Sequence, residues 1–297
     1  MTETFFLKGI VERALAEDLI YGDRTTEALF PNSLPAIGTV IAKEDLVVAG
    51  LDLFQTVFQT LDPTIVFEEK RSPGETVRKG DLIAQVSGDA RILLKGERTA
   101  LNFLQRLSGV ATLTRRFVDR VRGTSARIVD TRKTTPGFRA FEKEAVRLGG
   151  GENHRFHLGD LILIKDNHVA LAGGVDKAIK AVNAARSHPL KVEVEVNTLP
   201  EVEEALQEGV EIIMLDNMSL NEVKEAVRLV RGKAPAILLE VSGGIDLENV
   251  ASIARCGVDL ISVGALTHSA PAVDISLGIT ASSTSPEKEL RKGAGEP

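Results

Sequence analysis

From residue 126 to residue 263 the sequence alternates between two kinds of segment, and this alternation restricts the fold more than any other feature. Short, nearly continuous apolar runs fall at residues 126–129, 161–164, 192–196, 211–215, 236–241 and 260–263. Amphipathic stretches with helical spacing fall at 175–186, 199–207, 220–231 and 247–255. Strands alternating with helices indicate parallel βα units. Apolar runs without a polar alternate are expected of strands buried on both faces. Such units can form an open doubly wound sheet or a closed barrel. No G-x-G-x-x-G follows the first run, which disfavours a dinucleotide-binding sheet.

Polar residues cluster just after strand after strand, and this favours the barrel. They are Asp130, Thr131, Arg132 and Lys133; Lys165, Asp166, Asn167 and His168; Glu195 and Asn197; Asp216 and Asn217; Ser242, Gly243 and Gly244; and Gly264 with Ala265. Delivery of polar residues to one end of successive strands is the barrel arrangement, with the site at the C-terminal face. A barrel of six or seven strands is expected. The earlier part of the chain reads differently. A helix over 4–19 stops at Gly22-Asp23. Short β-rich runs at 38–42, 46–49, 64–67 and 82–86 surround a helix over 51–61, which suggests a small α+β unit with an antiparallel sheet. A helical period returns over 91–122, with Leu94, Leu101, Leu104, Leu107, Ala111 and Val118 on the inward face and a break expected at Ser108-Gly109. The tail from Ala281 to Pro297, rich in Ser, Lys, Glu and Gly, is expected to fray.

Composition excludes several functions. The net charge is −6 and only 4% of residues are aromatic, so nonspecific nucleic-acid binding is disfavoured and stacking platforms for single strands are poorly supplied. No apolar run approaches the ~20 residues of a bilayer span. The acidic N-terminus lacks a small-residue cleavage site, so no signal peptide is expected. A single cysteine, Cys256, leaves no internal disulfide and no Cys-based metal cluster. It reads as a buried apolar residue in a helix, and a cytoplasmic protein is expected.

Against that acidic background the basic cluster is out of character. Arg132, Lys133, Arg139, Arg155 and Lys165 lie close in sequence, together with His154, His157 and His168. Arg132, Lys133 and Lys165 directly follow apolar strands, so their stems start at the barrel mouth. A ligand with several carboxylates or phosphates suits such a site, because guanidinium forks bind these groups bidentately. The glycines after the last two strands suggest phosphate binding through backbone N–H groups; two tight turns are the competing reading. Glu195 and Asp216 are either ion-pair partners of the cations or ligands for sugar hydroxyls or a hard cation such as Mg²⁺. The H-x-x-H spacing of His154 and His157 offers a metal pair but places no third ligand.

Six motifs then carry a resemblance over residues 5–279. They are Gly96-Glu97-Arg98-Thr99-Ala100-Leu101-Asn102, Asp130-Thr131-Arg132-Lys133-Thr134, Gly149-Gly150-Gly151-Glu152-Asn153-His154-Arg155, Leu163-Ile164-Lys165-Asp166-Asn167-His168, Glu193-Val194-Glu195-Val196 and Leu215-Asp216-Asn217. In these the chain resembles the quinolinate phosphoribosyltransferases, or carboxylating nicotinate-nucleotide pyrophosphorylases. The resemblance implies an α/β fold with an N-terminal α/β sandwich domain over 1–108, rejoined by 273–297, and an incomplete parallel α/β barrel over 109–272. It implies transfer of phosphoribosyl from phosphoribosyl pyrophosphate to quinolinate with loss of CO₂, in NAD biosynthesis, with Mg²⁺. Quinolinate would meet Thr131, Arg132, Lys133, His154, Arg155 and Lys165, with Arg98 from a neighbouring subunit. On composition alone, Arg98 is a solvated helix residue. The phosphoribosyl donor would meet Lys133, Lys165, Glu195, Asp216, Ser242, Gly243, Gly244, Val263, Gly264 and Ala265. Lys133, Lys165, Glu195 and Asp216 would be catalytic, and Glu195 and Asp216 would face the metal. Family members are homodimers with shared sites, in some cases hexamers.

Overall fold

The computed structural model describes residues 2–282. The expected strands and helices form wherever the apolar period is clean. In chain order the elements are α1 (Thr2–Leu19), α2 (Arg24–Leu29), β1 (Pro35–Ala42), β2 (Leu46–Val47), α3 (Leu51–Leu61), β3 (Val66–Glu69), β4 (Thr76–Val77), β5 (Leu82–Asp89), α4 (Ala90–Arg120) and β6 (Arg127–Val129). There follow α5 (Arg139–Leu148), β7 (Ile162–Ile164), α6 (Asp166–Ala172), α7 (Val175–Ala185), β8 (Val192–Val196), α8 (Leu199–Glu208), β9 (Ile212–Asp216) and α9 (Leu220–Lys233). The last elements are β10 (Leu238–Ser242), α10 (Val250–Ala254), β11 (Leu260–Ser262), α11 (Ala265–His268) and β12 (Ile275–Ala281). Two compact units result. One holds the described residues up to Thr112 together with those from Ala270, and the other holds Leu113–Ser269. The tail expected to fray lies almost wholly outside the described residues.

The first unit is built on a four-stranded sheet in the order β12-β1-β5-β3, with a separate β2-β4 ribbon. The pairings within both are antiparallel. Residues along β1 alternate between half-buried and buried, as a sheet with one face on a core requires. Helix α3 supplies Leu53, Phe54, Val57 and Phe58, all fully buried, and the Phe54 ring centroid lies 6.0 Å from that of Phe67 on β3.

The second unit is a six-stranded parallel sheet in the order β6-β11-β10-β9-β8-β7. Strands β7 to β11 follow one another in chain order without a reversal, and β11 then pairs with β6, the first of the set. First-to-last pairing is what a curling sheet does; an open doubly wound sheet has a switch point instead. Between β6 and the segment before β7 the backbone pairing, among the described residues, is a single parallel bridge from Val129 to Glu152. The barrel is therefore incomplete, with six strands. All five residues of β8 are buried, as the apolar run predicted. Helices α8 and α9 begin with capping boxes, Thr198 with Glu201 and Ser219 with Glu222, which satisfy the first free N–H groups.

Several expectations need correction. There is no break at Ser108-Gly109, because α4 runs unbroken from Ala90 to Arg120. Gly109 is small for packing: a Cβ there would lie 2.0 Å from the Pro271 carbonyl oxygen. Ser108 Oγ donates to Ala49 O and accepts from Ala49 N, so its polarity is satisfied within the packing. The inward face of α4 includes Leu93 and Phe117, whereas Leu94 and Val118 are half-buried. Cys256 lies just past α10 and is half-buried, its Sγ donating to Ser252 O; burial pushes its thiol pKa up.

Candidate active site

A cavity of about 270 Å³ opens within the second unit at the C-terminal strand ends. Its lining comes from the segment after β6 (Asp130, Thr131, Arg132, Lys133), the loop after α5 (His154, Arg155), β7 and the residue that follows it (Leu163, Lys165), and β9, β10 and β11 (Met214, Glu240, Ser242, Ser262). Six of the residues expected to bind quinolinate, Thr131, Arg132, Lys133, His154, Arg155 and Lys165, thus share one wall system. Arg98 does not belong to it: it is exposed on α4, in the first unit.

The loop bearing His154 and Arg155 is held from beneath by a buried ion pair. Asp130 and Lys143 are 0% and 1% exposed and are hydrogen-bonded to each other. Asp130 also accepts from Asn153 Nδ2 at 2.6 Å and from His154 N at 2.9 Å, and Lys143 Nζ donates to His154 O at 2.9 Å. Burial raises the Asp130 pKa and lowers that of Lys143, against their mutual attraction. Arg139 braces the neighbouring turns through Thr134 Oγ1 and Phe156 O and does not line the cavity.

Arg155 donates to Leu161 O at 3.0 Å. Burial, and then the nearby charge of Arg132, pull its pKa down. Arg132 Nε is buried without a hydrogen-bond partner. A buried donor without an acceptor is costly, and two guanidiniums so placed await an anion. Lys165 Nζ lies 3.0 Å from Glu195 Oε2, so Glu195 takes the ion-pair role left open by the sequence. Asp216, half-buried at the end of β9, accepts from Asn217 Nδ2 at 2.6 Å. It is the better carboxylate for a hard cation, which is usually held by one or two carboxylates plus substrate phosphates.

The two glycine loops lie beside these groups. Gly243 and Gly244 both have positive φ, 89° and 62°, and Asn217 N donates to Ser242 O at 3.0 Å. A Cβ on Gly243 would stand 2.2 Å from Asn217 Oδ1. Next to β11, a Cβ on Gly264 would stand 3.2 Å from Lys133 Cδ, and Thr267 Oγ1 donates to Lys133 O at 2.8 Å. The Lys133 stem therefore runs past the Val263–Gly264–Ala265 turn.

The histidines separate. His157 is exposed, its Nδ1 3.7 Å from Asp160 Oδ2, and His168 Nδ1 accepts from Lys165 N; among the described residues His154 groups with Glu193 and Glu240 rather than with His157. His154 is largely buried, and its partners escaped the sequence analysis. Its Nε2 lies 3.0 Å from Glu193 Oε2 and 3.5 Å from Glu240 Oε2, and both glutamates are fully buried. Its Nδ1 accepts from Arg155 N at 2.8 Å. Burial disfavours a charged imidazole, but the two carboxylates outweigh it and lift the His154 pKa to about 10. Burial and the Glu240 charge raise the Glu193 pKa against the pull of His154. Sequence carried one signal for these residues: a charge set inside an otherwise apolar strand. In V-E-V-E-V, Glu193 and Glu195 share one face at period two.

Fold and site together define an α/β-barrel enzyme of multiply charged anionic substrates. Its family follows from direct matches. Residues 23–108 match the quinolinate phosphoribosyl transferase N-terminal domain and residues 110–278 match its C-terminal domain. The chain belongs to the quinolinate phosphoribosyltransferase family. It is 46% identical over 275 residues to the nicotinate-nucleotide pyrophosphorylase [carboxylating] of Mycobacterium leprae, covering 91% of this chain and 95% of that one. It is 43% identical over 271 residues to a probable enzyme of the same name from Synechocystis, covering 91% of each. The crystal structure of NadC from Streptococcus pyogenes superposes with a TM-score of 0.88 at 43% identity, over 94% of this chain and 98% of that one.

Proposed function

We propose that this protein transfers the phosphoribosyl group of phosphoribosyl pyrophosphate to quinolinate, releasing pyrophosphate and CO₂ and forming nicotinate mononucleotide for NAD biosynthesis. The observation that carries this reading is the Arg132–Arg155 pair, with an unpartnered buried Nε, in a cavity also lined by Lys133 and Lys165. Two adjacent carboxylates need such a density of cations; nicotinate, with one carboxylate, needs less. Thr131 and His154 complete the quinolinate wall. The donor's 5′-phosphate rests on Ser242–Gly244 and on Val263, Gly264 and Ala265, and its ribose hydroxyls lie toward Glu195 and Asp216.

The ring nitrogen attacks C1′ as pyrophosphate leaves, and positive charge develops on the ribose. Glu195 and Asp216 stabilise that charge, while Lys133 and Lys165 receive the departing pyrophosphate. Asp216 has the donor chemistry to hold Mg²⁺ together with pyrophosphate oxygens, and the ion would neutralise leaving-group charge. The nitrogen is then quaternary, so CO₂ can leave from the neighbouring carbon with its bonding pair held beside a positive charge. No general base is needed; orientation and electrostatics carry the rate.

By resemblance, Arg98 reaches the quinolinate site of a second copy in a homodimer or a larger assembly. Cytoplasmic residence fits the single cysteine. No helix among the described residues is long and apolar enough to cross a membrane. The test is a parallel assay of pyrophosphate and CO₂ release with quinolinate and with nicotinate. Equimolar release from quinolinate and negligible turnover of nicotinate are expected; turnover of nicotinate as the better substrate would overturn the reading.

A further inference from the structure

Two lysines stand on the donor side of the cavity, and the chain steadies them differently. Lys165 is held at its tip, where Nζ lies 3.0 Å from Glu195 Oε2. Lys133 is exposed, and so are Thr135, Pro136 and Gly137 just beyond it. A lysine carries its charge on a flexible four-carbon stem, so the ammonium sweeps a wide arc unless the root is fixed.

Both backbone polar groups of Lys133 are engaged. Its N–H donates to Thr131 Oγ1 at 3.0 Å, which closes a local turn. Its carbonyl accepts from Thr267 Oγ1 at 2.8 Å, across 134 residues of chain. Thr267 lies on α11, in the turn after Gly264, and is fully buried. Its Oγ1 also lies 3.2 Å from Gly264 O. A helical threonine ordinarily satisfies its hydroxyl on a carbonyl three or four residues back, and Gly264 O stands in that position. Burial alone therefore does not call for the bond to Lys133, yet that bond is the shorter of the two. The Lys133 stem packs against the same turn, because a Cβ on Gly264 would lie 3.2 Å from Lys133 Cδ. With carbonyl and stem both fixed against one turn, the direction of the ammonium is set. In the reading above, that turn carries the 5′-phosphate of the donor and Lys133 meets its pyrophosphate. One buried hydroxyl joins the two.

We propose that Thr267 is a positioning residue for phosphoribosyl transfer: its hydroxyl holds the Lys133 carbonyl against the phosphate turn, so that the ammonium stands ready for the donor's pyrophosphate. The proposal rests on phosphoribosyl pyrophosphate being the donor. Thr267 acts through Lys133 and needs no contact of its own with substrate. Fixing the root of the lysine moves part of its entropy loss from binding to folding, which raises affinity without a new contact.

The test is a double-mutant cycle on the affinity of the full-length protein for phosphoribosyl pyrophosphate, measured by calorimetry with Mg²⁺ present. Binding stays readable in variants that turn over too slowly to assay. Thr267→Val keeps the shape and removes the hydroxyl. It should weaken binding roughly 10-fold, about 1.4 kcal/mol, the scale of one hydrogen bond. On a Lys133→Ala background the same change should alter affinity by less than about 2-fold, because the group it positions is gone. Thr267→Ser, which keeps the hydroxyl, should bind within about 3-fold of wild type. Thr267→Ala repeats the cycle without the β-branch and carries the test if circular dichroism shows the valine variant unfolded. Equal weakening on both backgrounds would reduce Thr267 to a packing residue and overturn the proposal. Wild-type affinity in the hydroxyl-free variants or in Lys133→Ala, or a serine variant as weak as valine, would overturn it too. Failure of the wild type to bind phosphoribosyl pyrophosphate would instead sink the functional reading itself.

Discussion

Replacing Lys143 with methionine tests how the quinolinate loop is held. Lys143 and Asp130 are both out of water, and the variant keeps the length of the side chain while removing its charge. Asp130 would keep two donors, Asn153 Nδ2 at 2.6 Å and His154 N at 2.9 Å, but lose the counter-charge of Lys143. Removing one partner of a buried pair typically costs ~3–5 kcal/mol. Protonation of Asp130 limits that loss, and this gives the pH dependence its sign. In the variant, burial without Lys143 holds the folded pKa of Asp130 above its unfolded value of 3.8. Between the two pKa values the folded state binds more protons than the unfolded state, so stability falls as pH rises. The penalty should accordingly be smaller at pH 5 than at pH 8. The chain has no Trp and one Tyr, so urea unfolding is best followed by far-UV circular dichroism. The double variant Asp130→Asn/Lys143→Met should lose less than the sum of the single losses, since the two changes together leave no unpaired charge. Quinolinate KM should rise in Lys143→Met, because His154 O loses a donor at 2.9 Å. Losses below ~1 kcal/mol in both single variants, or strict additivity, would refute the reasoning.

Gly243→Ala forces a Cβ to within 2.2 Å of Asn217 Oδ1 at a φ of 89°, and Asn217 in turn steadies Asp216. The KM for phosphoribosyl pyrophosphate should rise by ~10-fold or more, about 1.4 kcal/mol, with calorimetric quinolinate affinity unchanged; the reverse pattern would move the phosphate elsewhere. Asp89 opposes its own burial with hydrogen bonds from the Arg91 side chain and backbone, which hold its pKa at about 2. Its stabilisation is present above pH 3.8 and is lost as pH falls toward 2. After solvent screening it amounts to about 1 kcal/mol, so Asp89→Asn should flatten the acid limb of a melting-temperature profile, and an unchanged limb would count against it. For Arg98, separately inactive Arg98→Ala and Lys165→Ala chains co-expressed as mixed dimers should regain roughly a quarter of wild-type activity. Heterodimers shown to form without activity would place Arg98 within its own site.

The barrel was legible because every strand buried on both faces writes itself as an apolar run. What the sequence analysis missed follows from local rules that cut against that pattern. Helix α5 reads Arg-Ala-Phe-Glu-Lys-Glu-Ala-Val-Arg-Leu, and its buried face includes Glu142 and Lys143. A binary pattern assigns those two residues to solvent, so neither the helix nor its inward side could be found. Glu142 is satisfied by Thr135 N and Oγ1, and Lys143 by Asp130, and both partners lie outside the helix. Helix α2 is six residues long and is capped by the same Asp23 that stops the preceding period, so the stop signal hid the start signal. Gly109 shows the opposite error: a helix-weakening residue is retained where another segment of backbone approaches too closely for any side chain.

The candidate site divides along similar lines. Residues just beyond strand ends stand out from apolar runs, and that contrast brought Arg132, Lys133, Lys165, Glu195, Asp216 and the glycine loops into view. Glu193 and Glu240 are written within strands, where a reader expects core, and their meaning depends on a partner that comes from neither strand. His154 is placed between them by a loop anchored on Asp130, and Asp130 is anchored by Lys143 of the unrecognised α5. The cluster of His154, Glu193 and Glu240 thus depends on a pairing 13 residues apart in sequence, between two groups that each look solvated. A carboxylate inside an apolar strand is tolerated only if something neutralises it. Two such carboxylates on β8 and β10 therefore need the one imidazole that the loop sets between them.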